Sequence, residues 1–239
     1  MNINPLYVLP NLFTAGSIFL GIVSIIFSSR GLFEEACWLV LISMILDGLD
    51  GRVARLTNTT SKFGIEFDSL ADVVAFGVAP AMLLYFYSGI NYGRYGILIS
   101  AVFVIFGAIR LARFNISTGS TEPGSFIGLP IPGAAIALSL WILLDLQYRF
   151  LDFFGTSYLL LPLALLLGIL MVSNIRYPSF KKMKWNIRTF VLIILLLGAI
   201  YLRPQEVVGG IITLYILYGI VRWIFVVIIK ILFTKMTKG

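Results

Sequence analysis

Asp47-Gly48-Leu49-Asp50-Gly51-Arg52-Val53-Ala54-Arg55, followed at fixed intervals by Gly64, Asp68 and Asp72, decides how this 239-residue chain is read. The four aspartates stand inside or at the edge of two long apolar runs, residues 31–51 and 63–87. A charged side chain inside a bilayer costs at least ~2.5 kcal/mol on insertion scales, so four together require compensation. On helices, Asp47, Asp50, Gly51 and Ala54 share one face by their i, i+3, i+4, i+7 spacing, and Gly64, Asp68 and Asp72 share a face of the next helix. Two antiparallel helices then point four carboxylates at one another. Like charges that close repel unless cations intervene, and hard oxygen ligands in this number suit Mg²⁺, Mn²⁺ or Ca²⁺. Gly51, Ala54 and Gly64 leave room for a ligand to approach the backbone. Arg55, one turn from Gly51, is placed to neutralise a phosphate.

The surrounding chain is 59% hydrophobic and 12% charged, more apolar surface than a soluble domain of this size can bury. Apolar runs recur at residues 11–29, 31–51, 63–87, 92–112, 130–148, 158–172, 189–201 and 207–233. A spanning helix needs about 20 mostly apolar residues. The expected fold is all-α: a polytopic integral membrane helical bundle with about eight transmembrane helices, forming a single membrane domain over residues 1–239. Two short runs, and Arg222 within the last, leave open six or seven spans with a reentrant piece.

The net charge of +7 follows membrane topology, not a nucleic-acid partner. With the N-terminus inside, Arg52, Arg55, Lys62, Arg110, Arg113, Arg176, Lys181, Lys182, Lys184, Arg188, Arg222, Lys230, Lys235 and Lys238 fall on the inner side. Only Arg30, Arg94, Arg149 and Arg203 fall outside. This places the Asp-rich segment on the cytoplasmic face, in the cell membrane. Residues 1–10 carry neither Lys nor Arg and no cleavage pattern, so they are expected to stay as an interfacial lead-in. The single Cys37 permits no internal disulfide and reads as a buried or lipid-facing thiol. The stretch 115–132, rich in Gly, Pro and Ser, is long enough that it is expected either to line a site or to be disordered.

The spacing D-x-x-D-G-x-x-A-R-x8-G-x3-D-x3-D, met here at all eight fixed positions, resembles the signature of the CDP-alcohol phosphotransferase family. Three flanking segments narrow the resemblance toward membrane-embedded phosphatidylserine synthases: Pro10-Asn11-Leu12-Phe13-Thr14, Arg110-Leu111-Ala112-Arg113-Phe114-Asn115 and Phe126-Ile127-Gly128-Leu129-Pro130-Ile131-Pro132. It covers a core of about residues 10–135, with additional transmembrane helices over 136–239.

The resemblance implies transfer of a phosphatidyl group from CDP-diacylglycerol, or CDP-archaeol, to L-serine by metal-assisted direct displacement, giving phosphatidylserine and CMP. It implies two Mg²⁺ or Mn²⁺ ions, one held by Asp47, Asp50 and Asp68 and one by Asp47, Asp68 and Asp72, with Asp72 also taking the acceptor proton. Asp50, Gly51, Ala54, Arg55 and Gly64 would line the CDP site, and a homodimer among membrane lipids is expected. The absence of histidine excludes a covalent His-phosphatidyl route. Arg110 and Arg113 read equally as lipid-phosphate or acceptor ligands and as positive-inside anchors, and Asn11 and Thr14 equally as substrate contacts and as helix caps. Another acceptor, glycerol 3-phosphate or inositol phosphate, is the alternative chemistry. A cation transporter is a lower-ranked alternative, because it has no use for Arg55 and the three small positions.

Overall fold

A computed structural model of the chain describes residues 8–117, 125–149, 157, 159–178 and 187–236, with side chains described at 8–116, 127–149, 157, 159–177 and 193–227. The lead-in over residues 1–7, the loop residues 118–124 and the basic residues Lys181, Lys182, Lys184 and Lys238 lie outside them. So do the side chains of Arg188, Lys230 and Lys235.

The described chain is a helical membrane bundle of eight rods. They are α1 (Val8–Ser29), α2 (Phe33–Leu56), a third rod made of α3 (Lys62–Asp72), a π-helical turn (Val73–Val78) and α4 (Ala79–Tyr87), then α5 (Arg94–Ser117), α6 (Ile131–Tyr148), α7 (Leu160–Val172), α8 (Ile187–Leu202) and α9 (Pro204–Met236). Five rods are long and apolar enough to cross a membrane: α1, Lys62–Tyr87, α5, α6 and α9. At 1.5 Å per residue the 22-residue α1 spans about 33 Å, against a hydrocarbon core of ~30 Å. The 13-residue α7 is shorter than the core and is covered by packing on α5 and α6. The core runs along α6, most of whose residues from Ile131 to Asp145 are buried.

Three departures from the sequence expectations have physical causes. First, α2 runs past the end of the apolar run at Gly51 to Leu56, so that the helix expected from the motif's spacing carries its whole first half. Second, α5 continues through Ser117, so Arg113 and Asn115 are helical, and the loop that follows is shorter than expected. Third, the loop is tied down by strand pairing. β1 (Ser125–Ile127) runs antiparallel to β2 (Arg176–Pro178), with Phe126 opposite Tyr177. Gly128, at φ +76°, follows this pairing, and a side chain there would collide with the Met171 carbonyl. Its N–H donates to the Ile175 carbonyl at 2.8 Å, and that of Leu129 to the Leu170 carbonyl at 3.0 Å.

Pro80 accounts for the π-helical turn in the third rod. It has no N–H and its ring crowds the carbonyl four residues back. One position earlier, the Ala79 N–H reaches the Val74 carbonyl, five residues back, closing a wide turn directly after Asp72. At the far end of this rod, Tyr87 donates to Asp145 Oδ2 at 2.9 Å, and Ser157 donates to the same oxygen. Asp145 is fully buried, and it joins α4, α6 and the α6–α7 connection at the end of the bundle away from the Asp motif.

Candidate active site

The α2–α3 turn folds back on itself and sets the two halves of the motif face to face. Ser61 caps α3, accepting the Gly64 N–H at 3.0 Å, which fixes where the second helix begins and so the phase of Asp68 and Asp72. Asp47, Asp50 and Asp68 each offer a carboxylate oxygen, all within 4.8 Å of one another. Asp47 is also in hydrogen-bonding contact with Asp68 and Asp72. Asp50 is 5% exposed and receives the Thr14 hydroxyl of α1 at 2.6 Å. Asp72 is 9% exposed, and its Oδ1 has no hydrogen-bond partner among the described residues.

Carboxylates pressed together with a buried oxygen lacking a donor form a donor set that fits a hard divalent cation. All four aspartates of the sequence reading therefore meet in one place. The structure distinguishes their situations: Asp50 and Asp68 border an open cavity, whereas Asp47 and Asp72 are not among its lining residues.

That cavity is bordered by Asp50, Gly51, Ala54, Arg55 and Gly64, the five positions assigned to a CDP site from sequence, and by Asn11 and Thr14 from α1. The Arg55 guanidinium folds over Gly51, where a Cβ would sit 3.4 Å from its terminal nitrogen. A Cβ at Gly64 would lie 3.2 Å from Ser61 Oγ and 3.7 Å from Asn11 Oδ1. The small residues thus leave free the volume that a nucleotide phosphate would enter. Thr59, Thr60 and Ser61 also border the cavity and were missed in the sequence reading. The one available signal was Ser61, an N-cap residue three positions before Gly64.

The two arginines at the end of α5 separate. Arg110 is 7% exposed, lies over the Phe114 ring at 5.2 Å, and is in electrostatic reach of Asp72 and of Tyr215 on α9. Arg113 turns to the end of α7, donating to the Val172 carbonyl at 3.1 Å and to Asn174 Oδ1 at 2.5 Å. Thr14 is not a helix cap, because α1 already begins at Val8. Its hydroxyl, also 3.2 Å from the Pro10 carbonyl, bridges α1 to the carboxylate cluster.

An intramembrane carboxylate cluster beside a cavity edged by one arginine and three small residues is the arrangement expected of a nucleotide-lipid transferase. The CDP-alcohol phosphatidyltransferase family pattern matches residues 7–171. The chain belongs to that family. It is 62% identical over 235 residues to the CDP-diacylglycerol--serine O-phosphatidyltransferase of Helicobacter pylori strain J99, covering 98% of both chains. It is 40% identical to the Methanocaldococcus jannaschii protein of the same name, over 78% of this chain and 83% of that one. It is 37% identical to the archaetidylserine synthase of Methanothermobacter thermautotrophicus, over 71% and 69%.

Proposed function

We propose that this chain is an integral membrane enzyme of phospholipid biosynthesis that transfers the phosphatidyl group of a CDP-linked lipid to L-serine, releasing CMP. The observation that carries the reading is the meeting of four aspartates beside a cavity bordered by Gly51, Ala54, Arg55 and Gly64. The relatives named above, at 62% and 40% identity, support serine as acceptor and diacylglycerol as the lipid. The archaetidylserine synthase shows that a related chain carries a name referring to an archaeal lipid.

The chemistry follows from what each side chain can do. Asp50, Gly51, Ala54, Arg55 and Gly64 receive the CDP portion, and Arg55 offsets phosphate charge. The serine hydroxyl attacks the lipid-side phosphorus, the bond to CMP breaks, and Asp72, the last acid of the motif, takes the hydroxyl proton. Arg110, beside Asp72, is placed to receive the acceptor carboxylate. Two ions, Mg²⁺ or Mn²⁺, would be held by Asp47, Asp50 and Asp68 and by Asp47, Asp68 and Asp72. When bound, they supply charge neutralisation on the diphosphate.

The reading includes a single membrane domain whose catalytic core spans about residues 10–135, with helices added over 136–239. The active site faces the cytoplasm, as the positive-inside distribution indicates, in the cell membrane. A homodimer is part of the reading by family resemblance. The arrangement does not favour a cation transporter, which would leave Arg55 and the glycine-lined cavity without a role.

The test is CMP release from CDP-diacylglycerol by the purified chain with Mn²⁺ or Mg²⁺, comparing L-serine, glycerol 3-phosphate, inositol phosphate and no acceptor. Serine-dependent release is expected, lost on chelation, restored by metal, and reduced at least ~100-fold in Asp72→Asn. Release with a different acceptor would replace serine. No release with any acceptor would overturn the enzyme reading.

A further inference from the structure

Three hydroxyl residues of the turn between α2 and α3, Thr59, Thr60 and Ser61, border the cavity beside Asp50 and Ala54. The backbone of this turn is closely tied. Asn58 ends α2 in the left-handed region at φ +52°, the Thr59 N–H donates to the Ala54 carbonyl at 2.9 Å, and the Asn58 N–H reaches the Arg55 carbonyl at 3.4 Å. These two bonds make a Schellman close, which turns the chain back over the last turn of its helix. Thr59 is thereby brought against Ala54 and is 6% exposed.

A hydroxyl has one proton to donate, and in this turn the protons can be traced. Thr57 donates its own to the Val53 carbonyl at 2.8 Å. The 2.7 Å bond between the Thr57 and Thr59 hydroxyls must then run from Thr59 to Thr57. With its proton committed there, Thr59 Oγ1 can offer the cavity only an acceptor. Ser61 is the reverse case: its Oγ accepts the Gly64 N–H at 3.0 Å, and among the described residues no acceptor takes its proton. The turn therefore carries an acceptor at Thr59 and a donor at Ser61, both on residues that border the same cavity.

Seven residues separate Asp50 from Thr57, about 10 Å at 1.5 Å per residue, so a nucleotide with its phosphates at the aspartates extends its base toward this turn. Cytosine presents an amino donor beside a ring acceptor, whereas uracil presents a carbonyl and an N–H in the same places. We propose that Thr59 and Ser61 select the base of the nucleotide-lipid: Thr59 Oγ1 accepts from the exocyclic amine of cytosine, and Ser61 Oγ donates to the ring acceptor next to it. Uracil would set acceptor against acceptor and donor against donor, leaving both hydroxyls mispaired. This rests on the functional reading above and deepens it, because it assigns the choice of a cytidine lipid to two hydroxyls of the α2–α3 turn.

The experiment measures how CMP and UMP inhibit phosphatidylserine formation from CDP-diacylglycerol and radiolabelled L-serine by the purified full-length chain, with the thermal transition in detergent followed alongside. CMP should inhibit the unaltered chain at a concentration at least ~10-fold lower than UMP. Thr59→Val keeps the shape of the side chain and removes the acceptor, so this preference should fall about tenfold, and Thr59→Ser should restore it. Thr57→Val releases the Thr59 proton to face the cavity, so inhibition by UMP should strengthen about fivefold. A turn that served only the fold would weaken both nucleotides alike. Where Thr59→Val lowers the thermal transition, Thr57→Val decides. A CMP preference within twofold of the parent in both valine variants overturns this proposal alone, as does an unaltered chain that does not distinguish CMP from UMP. An unaltered chain that forms no phosphatidylserine overturns it together with the functional reading.

Discussion

Replacing Thr14 by Val removes one hydroxyl and keeps the shape of the side chain. Thr14 is 3% exposed and its hydroxyl donates to Asp50 Oδ2 at 2.6 Å across α1 and α2. A hydrogen bond to a charged group contributes ~1.5–3 kcal/mol, equivalent to roughly 10–150-fold in an equilibrium constant. Outer partners of metal-ligating carboxylates, when mutated, typically cost ~10–100-fold in metal affinity or activity, which agrees. The second contact, 3.2 Å to the Pro10 carbonyl, lies within α1, and its loss adds little. The metal concentration giving half-maximal CMP release should therefore rise about 10–100-fold in Thr14→Val, with the maximal rate largely recovered at saturating Mn²⁺. Thr14→Ser, which restores the hydroxyl, should behave like the parent chain. A shift below threefold in Thr14→Val would show that Asp50 needs no help from α1, and would refute the argument.

Three further outcomes follow from named contacts. Gly64→Ala places a methyl 3.2 Å from Ser61 Oγ on the cavity wall, so the KM for CDP-diacylglycerol should rise about tenfold in steady-state assays while the serine KM holds. Arg113→Ala removes the bonds to Val172 and Asn174, and should lower the thermal transition by several degrees in detergent without changing the serine KM. A serine KM that rises instead would return Arg113 to the substrate site. Asp145→Leu strips Tyr87 and Ser157 of their shared acceptor and should destabilise the chain by about 2–4 kcal/mol in denaturant titration, leaving kcat/KM of the folded fraction unaltered.

How far the sequence discloses this molecule depends on what constrains each residue. Asp47, Asp50, Asp68 and Asp72 were legible because bilayer energetics make an intramembrane acid conspicuous and because helical spacing says which acids share a face. Gly51, Ala54 and Gly64 were legible through their spacing from those acids. Thr59 and Thr60 were not, since a connecting turn has no period from which to read direction. Tyr215 was hidden for another reason: in α9 nearly every face is apolar, so hydrophobic periodicity cannot tell a tyrosine packed on the bundle, as Tyr215 is on Tyr177, from one facing lipid. The eight helical runs were readable from hydropathy, but their ends moved: α2 and α5 ran five residues past the expected boundaries, carried by sequence that is helical without being apolar. The wide turn after Asp72 had a visible cause in Pro80, whereas the pairing of β1 with β2 joins segments about fifty residues apart and leaves no local trace.

That strand pairing bears on how the protein is made. β2 leaves the ribosome about a hundred residues after Asp72, an interval of roughly 5–20 s at ordinary elongation rates. In its later part the motif helices have left the ribosome while Tyr177 is still unsynthesised, and the loop carrying Gly128, once made, has nothing to pair with. The nascent protein must therefore tolerate its costliest residues in a half-built state, and their early neutralisation by protons or cations becomes a requirement of biogenesis as well as of turnover.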